Sequence, residues 1–105
     1  MNKKPFKIGN RKIGDKFPPL IITEIGINHG GSLEKAIKIA DHAIKGGAEV
    51  IKHQTHILEK EMSEEAKKIY PDNANTSIYN VIKKNLMSEK EEFKKRNFIK
   101  KKKII

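Results

Sequence analysis

The sequence has 105 residues, a formal net charge of +10 at pH 7 and 36% hydrophobic residues, which suffices for one small domain with a core and excludes global disorder. It has no cysteine, so a disulfide framework, a zinc–thiolate site and a cysteine nucleophile are excluded. No stretch approaches the ~20 apolar residues that span a bilayer, and residues 1–16 lack the apolar run of a signal peptide. We therefore expect a cytoplasmic protein with no membrane partner.

The excess positive charge lies at one end of the chain. Residues 94–105 hold seven of the 23 basic residues and no acid, which leaves 16 basic against 13 acidic residues elsewhere. The amphipathic pattern is also lost beyond Phe93. We expect residues 94–105 to be a basic, unstructured and solvated tail. Nucleic acid is not favoured as a partner, because only Phe98 among these residues could stack on bases.

Residues 1–17 predict a β-hairpin and a linker. The short segments Phe6–Ile8 and Arg11–Ile13 flank Gly9 and Asn10, two residues suited to a tight turn with positive φ. Two prolines, at positions 18 and 19, then fix an extended approach to the following segment.

A strand–helix–strand unit comes next. The isoleucine-rich segment Leu20–Asn28 predicts one strand, and Ala48–Ile57 predicts a second. Between them, apolar residues recur at intervals of three and four from Leu33 to Ile44, which predicts a helix capped by Ser32 and ended by two glycines. This order implies two parallel strands joined by a right-handed crossover.

Residues 58–93 carry weaker signals. The segment Pro71–Asn75 predicts a loop, and a helix capped by Thr76 or Ser77 follows it. Ser88 and Glu91 have the spacing of a capping box, which predicts another helix start. We group residues 18–93 as one α/β unit.

Polar side chains collect near the carboxyl ends of the two predicted strands. Strand alternation places four of them on one face: Glu24, Asn28, Lys52 and Gln54. Ligands bind at this end of the strands in parallel α/β proteins, so the pattern predicts a polar site. The alternative is a solvated sheet edge at which Glu24 and Lys52 merely pair. A buried Glu beside a buried Lys would be costly unless paired or functional, which favours a site.

The four histidines do not predict a metal site. His53 and His56 are three residues apart in a strand and should point to opposite faces. His29, in the loop after the first of these strands, could be a ligand, but no ligand set can be assembled around it. Glycines 26, 30 and 31 fit a tight turn better than a phosphate-binding loop, because their spacing is neither the dinucleotide-binding nor the P-loop pattern.

Together these segments resemble the N-acetylneuraminate (sialic acid) synthase family. The most specific stretches are Glu24–His29 (EIGINH) and Lys52–His56 (KHQTH), and the resemblance runs from about residue 6 to residue 92. The second stretch looks more like the bacterial N-acetylneuraminate branch than like the pseudaminate or legionaminate branches.

The resemblance implies the N-terminal part of a (β/α)8 TIM barrel, with residues 18–93 as its first βα units. In the family, a small antifreeze-like domain follows the barrel and the enzyme is a homodimer. The implied reaction is a transfer that condenses phosphoenolpyruvate with N-acetylmannosamine to give N-acetylneuraminate and phosphate, with Mn2+ or Mg2+ as cofactor. The family's metal-binding histidines lie on later strands, so we expect no metal ligand in this chain.

The family's functional positions can be carried over one by one. Lys52 would contact phosphoenolpyruvate, with Gln54 beside it, and Asn73 would hydrogen-bond N-acetylmannosamine. Glu24 would line the same pocket as a catalytic orienting or proton-transfer group. Asn28 joins the substrate-binding set through its place on the same face.

A closed barrel needs ~250 residues, so the barrel is incomplete as given. The resemblance fades near Phe93, where residues rich in Lys, Asn and Ile begin, and we hypothesise a truncated or frameshifted product. DNA sequence downstream with no barrel-like continuation in any frame would contradict this. Two strands without closure leave edges unpaired, so we expect the chain alone to fold poorly and to lack synthase activity.

Two alternative functions remain open at this point. One is a barrel enzyme of the aldolase type, in which Lys52 forms a Schiff base that borohydride would trap with pyruvate. The other is a small basic nucleic-acid-binding protein, whose binding would weaken steeply with salt and vanish on removal of residues 94–105.

Overall fold

The computed structural model describes residues 3–102 and contains two separate two-stranded sheets. In the first, strand β1 (Phe6–Ile8) pairs antiparallel with β2 (Arg11–Ile13). Gly9, in the turn between them, has φ of +57°, a conformation that glycine adopts without strain. The predicted hairpin is confirmed.

The second sheet contains the predicted parallel pair. Strand β3 (Ile22–Gly26) runs parallel to β4 (Val50–His53). Both strands are shorter than the predicted segments Leu20–Asn28 and Ala48–Ile57. The first ends early because the chain turns immediately after Gly26, where the Asn28 N–H donates to the carbonyl of Ile25.

Helix α1 (Leu33–Lys45) connects the two parallel strands. Its N-cap is Ser32, whose side chain accepts a hydrogen bond from the Lys35 N–H, as the sequence predicts. Ala36 and Ala40 are fully buried, and Ala40 packs with Ile25 and Ile51 of the strands. Gly47, just after the helix, has φ of +100°, which explains why a glycine ends this helix.

The segment between β4 and residue 88 is built from short helices. Helix α2 (Leu58–Glu61) and a 3-10 turn (Ala66–Lys68) have no counterpart in the sequence-based prediction. Helix α3 (Ile78–Lys84) begins at Ser77, whose side chain accepts from the Asn80 N–H. Of the two predicted caps, Ser77 is therefore the correct one.

Helix α4 (Glu89–Lys101) corrects the expectation of an unstructured tail. Ser88 and Glu91 form the predicted capping box, but the helix continues through residues 94–101. It continues because Ile99 packs into the core and is only 6% exposed. The remaining predicted tail residues 103–105 lie outside the described part of the chain, and the other domain limits stay predictions.

The core lies on one side of the parallel sheet. Ile25 and Ile51 of the strands pack with Ala40, Ala48 and Ile99, so α1 and α4 cover this side together. On the other side, Ile22 is 56% exposed. Within residues 3–102, the parallel sheet is thus covered by helices on one face and exposed on the other.

One ion pair ties the hairpin to the parallel sheet. The Nε atom of Arg11 lies 2.6 Å from Oε1 of Glu49, and the other carboxylate oxygen accepts the Ile21 N–H at 3.0 Å. Arg11 also donates to the carbonyl of Pro18 at 2.7 Å. These bonds hold the pKa of Glu49 below its ordinary value, with the Arg11 bond as the larger cause. Within residues 3–102, no helix has both the length and the apolar character needed to cross a membrane.

Candidate functional site

Glu24 and Lys52 are the centre of the predicted site. They are direct partners in the register of β3 and β4, and Oε1 of Glu24 lies 3.5 Å from Nζ of Lys52. Both side chains are more than half exposed, on the face opposite the one that α1 and α4 cover. The cost of burying a Glu–Lys pair therefore gives no support to the site, because neither side chain is buried. The pair is solvated, as the sheet-edge interpretation expects, and it lies near the carboxyl ends of both strands, as a ligand site requires.

Asn28 and Gln54 form an adjoining polar group around Gly26. The register shifts between Glu24 and Gly26, so that Gly26 pairs with His53. A Cβ atom on Gly26 would lie 3.7 Å from Oε1 of Gln54 and 3.9 Å from Nδ2 of Asn28. The Asn28 amide also donates to the Ile25 carbonyl at 3.0 Å. Four of the five predicted site residues therefore occupy the same end of the parallel sheet.

Asn73 is the predicted site residue that stands apart. It is exposed in the turn between the 3-10 helix and α3. Among the hydrogen bonds and ion pairs of residues 3–102, none joins Asn73 to Glu24, Lys52 or Gln54. Its assignment to the site thus depends on the family resemblance alone.

The loop after β3 is fixed by His29, which is 1% exposed. Nδ1 of His29 accepts the Gly31 N–H at 3.0 Å, and the Ser32 N–H donates to the His29 carbonyl. Gly31 has φ of +83°, and a Cβ atom there would lie only 2.8 Å from the backbone oxygen of Leu86. The glycine is therefore required by backbone packing, which agrees with the tight-turn interpretation of this segment.

A buried charged cluster lies on the helix-covered side of the sheet, and the sequence did not predict it. Lys95 is completely buried, with its Nζ atom 2.6 Å from Oε2 of Glu92. The same oxygen accepts the Thr55 hydroxyl at 3.1 Å and lies 3.9 Å from Nδ1 of His53. The one signal in the sequence is spacing. Lys95 follows Glu92 by three residues and precedes Ile99 by four, which places the three residues on one face of a helix.

Burial keeps two histidines of this region neutral at pH 7. The pKa of His29 and the pKa of His53 are both lowered, first by desolvation and then by the positive charge of Lys95. Glu92 opposes this by raising both values, and Arg96 lowers that of His53 further. Because Nδ1 of His29 is an acceptor, its neutral ring carries the proton on Nε2.

The described residues do not fit the divalent metal that the resemblance implies. In residues 3–102, no three His, Cys, Asp or Glu side chains are arranged to hold a metal ion. The close histidine–carboxylate pairs, His53 with Glu92 and His56 with Glu61, offer two donors each. A resident Mn2+ or Mg2+ needs more ligands than either pair supplies.

Two curated proteins are similar to this chain in sequence, whereas no family model matches it. The spore coat polysaccharide biosynthesis protein SpsE of Bacillus subtilis is 43% identical over 49 residues, which are 47% of this chain and 13% of SpsE. An uncharacterized protein of Methanocaldococcus jannaschii is 37% identical over 60 residues, which are 57% of this chain and 18% of that protein.

Solved structures extend the similarity to nearly the whole chain. The N-acetylneuraminic acid (sialic acid) synthetase of Leptospira borgpetersenii serovar Hardjo-bovis, solved with citrate, matches with a TM-score of 0.75 and 31% identity. The match covers 97% of this chain and 32% of that enzyme. SpsE of Bacillus subtilis matches with a TM-score of 0.65 and 27% identity, over 97% of this chain and 26% of SpsE.

The chain spans about a third or less of each of these proteins. Over that span the mixed α/β fold matches the corresponding region of the synthetase. The resemblance to the N-acetylneuraminate synthase family is thus confirmed, in sequence and in fold, for a region about a third as long as the Leptospira enzyme.

Proposed function

We propose that this chain represents the first βα units of a (β/α)8 barrel synthase of sialic acid biosynthesis, which condenses phosphoenolpyruvate with N-acetylmannosamine. One observation carries the proposal. Glu24, Lys52, Gln54 and Asn28 meet at the carboxyl end of two parallel strands, in a chain whose fold matches a sialic acid synthetase. In barrel enzymes, catalytic groups lie at this end of the strands.

The proposed chemistry joins two carbon atoms and releases phosphate. The enol carbon of phosphoenolpyruvate attacks the aldehyde carbon of N-acetylmannosamine, and the aldehyde oxygen takes up a proton. Water adds to the oxocarbenium-like centre that forms, and phosphate leaves with its oxygen. In the overall reaction, phosphoenolpyruvate, N-acetylmannosamine and water give N-acetylneuraminate and phosphate.

Each site residue has a role that suits its chemistry. Lys52 supplies a compact positive charge for the phosphate or carboxylate of phosphoenolpyruvate. Gln54 and Asn28 offer amides that donate to and accept from the same ligand. Glu24 orients Lys52 through their ion pair and can exchange a proton with a reacting oxygen. Asn73 would approach the sugar from its own loop.

The catalytic metal of the proposed enzyme takes its ligands from outside this chain. A divalent Mn2+ or Mg2+ supplies polarisation of the sugar aldehyde when bound, but the residues described here do not assemble its site. We also propose a cytoplasmic homodimer for the whole enzyme. Because two strands cannot enclose a barrel cavity, we expect no turnover from this chain by itself. The core around Ile25, Ile51 and Ile99 nevertheless leads us to replace the expectation of poor folding with that of a folded chain.

Phosphoenolpyruvate binding, mapped by nuclear magnetic resonance, tests the proposal on this chain. We expect saturable shifts of the backbone signals of Glu24, Lys52 and Gln54. In Lys52→Met the shifts should need at least tenfold more phosphoenolpyruvate, whereas Lys38→Met, which removes an exposed lysine of α1, should respond as the wild type does. Shifts confined to other residues, or shifts of equal size in Lys52→Met, would contradict the proposal.

The two alternative functions are not favoured by the comparisons, which find a sialic acid synthetase and a polysaccharide biosynthesis protein. The aldolase-type alternative is separable by chemistry. If Lys52 formed an imine, borohydride would fix pyruvate onto it and increase the mass of the chain. We expect no such mass increase, since the synthase reaction needs no imine.

A further inference from the structure

Side chains from three elements lie close enough for their charges to interact where α4 packs on the parallel sheet. His29 comes from the loop after β3, His53 from β4, and Glu92 and Lys95 from α4. Lys95 is fully buried and His29 nearly so. The four residues therefore lie at the contact between the helix and the sheet, separate from the exposed pair of Glu24 and Lys52.

The cluster has one carboxylate, that of Glu92, and more buried nitrogen atoms than this carboxylate can pair. Oε2 of Glu92 receives the Thr55 hydroxyl and lies 2.6 Å from Nζ of Lys95. Among residues 3–102, Nζ of Lys95, Nε2 of His29 and Nδ1 of His53 have no partner with hydrogen-bond geometry. The Lys95–Glu92 contact is thus an ion pair by distance without the angles of a hydrogen bond. A buried group left in this state is costly.

The charge of the cluster depends on the two imidazoles. With both rings neutral, Lys95 and Glu92 balance each other. Each proton taken up adds a positive charge beside Lys95, and Arg96 adds to the repulsion at His53. Of the charged groups on the described elements, Lys95, Glu92 and Arg96 of α4 are those that act on the two rings. Like charges at buried positions strongly disfavour protonation in the packed state.

We propose that His29, His53, Glu92 and Lys95 form a pH-sensitive latch, which holds α4 on the parallel sheet at neutral pH and releases it when the two imidazoles take up protons. Release separates Ile99 from the core. It also removes the packing around His29, whose loop carries Asn28. The latch is independent of whether the chain binds phosphoenolpyruvate.

The direction of the pH dependence follows from the protonation of the two rings. In the latched state the pKa of each imidazole lies below its ordinary value of 6.5, which it regains when α4 is released. The released state therefore binds more protons as the pH falls. The latch is complete above about pH 6.5 and weakens as the pH falls through the lowered values.

Thermal unfolding of the intact chain, followed by circular dichroism at pH 8.0 and pH 5.5, tests the latch. We expect the midpoint to fall by roughly 5 °C or more at the lower pH, as about 1 kcal/mol would produce in a chain of this size. Lys95→Met removes the buried charge and should reduce the fall by at least half. Lys94→Met removes the exposed neighbouring charge and should leave the fall unchanged.

Imidazole signals in nuclear magnetic resonance provide a second measurement, which needs no variant. His29 and His53 should titrate below pH 6.5, and the signals of α4 should broaden or shift together with theirs. Titration of both rings at or above pH 6.5 would overturn the proposal. A fall of the thermal midpoint in Lys95→Met as large as in the wild type would also overturn it. So would the absence of α4 helicity in the wild-type chain at pH 8.0.

Discussion

Glu24 and Lys52 face each other across two parallel strands, with 3.5 Å between Oε1 and Nζ, on the side of the sheet opposite α1 and α4. An exposed pair of this kind stabilises a fold by about 0–1 kcal/mol. A ligand can therefore replace this ion pair with little loss of fold stability, as a binding role for the two residues requires.

Loss of Lys52 should consequently leave stability almost unchanged. We expect Lys52→Met to alter the free energy of unfolding by less than about 1 kcal/mol, as measured by urea denaturation. Lys38→Met, which breaks an exposed pair with Glu34 on α1, should behave in the same way. A loss of several kcal/mol in Lys52→Met alone would show that the lysine serves the fold.

Gly31→Ala should be costly, because the new methyl group would lie 2.8 Å from the backbone oxygen of Leu86 in a residue with φ of +83°. We expect a loss of about 2–4 kcal/mol, from backbone strain and the clash together. The matched control is Gly47→Ala, where φ is +100° but nothing lies within 4 Å of the added atom. Equal losses of stability in the two variants, measured by urea unfolding, would show that contact with the Leu86 oxygen does not contribute to the cost of Gly31→Ala.

Ile99→Ala tests the docking of α4. Ile99 is buried among Ile25, Ala40 and Ile51, so truncation should cost about 2–4 kcal/mol through lost contacts and a cavity. Phe93→Ala on the same helix removes a side chain that is more than half exposed and should cost much less. If both variants unfold at the urea concentration of the wild type, residues 94–101 are not docked.

Glu49→Gln should change the response of the chain to acid. Since bonds from Arg11 and the Ile21 N–H lower the pKa of Glu49, its contribution to stability is present above the ordinary value of 4.5 and is lost as the pH falls below it. We expect the decline of the thermal midpoint between pH 5 and pH 3 to be shallower in Glu49→Gln. Glu34→Gln, at an exposed position of α1, is the control, and an identical decline in all three proteins would contradict the assignment.

Local signals in the sequence predicted the elements that local chemistry determines. The hairpin follows from Gly9 and Asn10, and the helix starts follow from Ser32, Ser77 and Ser88, because a turn or a cap depends on a few neighbouring residues. The predicted strands are too long, because the alternation of apolar and polar residues continues past the point where β3 and β4 cease to pair.

Tertiary contacts explain what the sequence did not reveal. Strand alternation correctly placed Glu24 and Lys52 on one face, but it could not reveal that they are direct register partners or that the pair is solvated. The second half of α4 was missed because a lysine, Lys95, occupies a buried position on the helix face that also carries Ile99. That lysine is paired with Glu92 and lies within electrostatic range of two histidines from other elements, which no local pattern shows.

The central claim is that Lys52 and its neighbours bind phosphoenolpyruvate. Isothermal titration of phosphoenolpyruvate into the wild-type chain, Lys52→Met and Lys38→Met measures this most directly. We predict one saturable site per chain in the wild type and in Lys38→Met, and affinity lowered at least tenfold in Lys52→Met, which is the effect of losing about 1.4 kcal/mol of binding free energy. Equal affinity in all three proteins, or no saturable binding by the wild-type chain, would contradict the account.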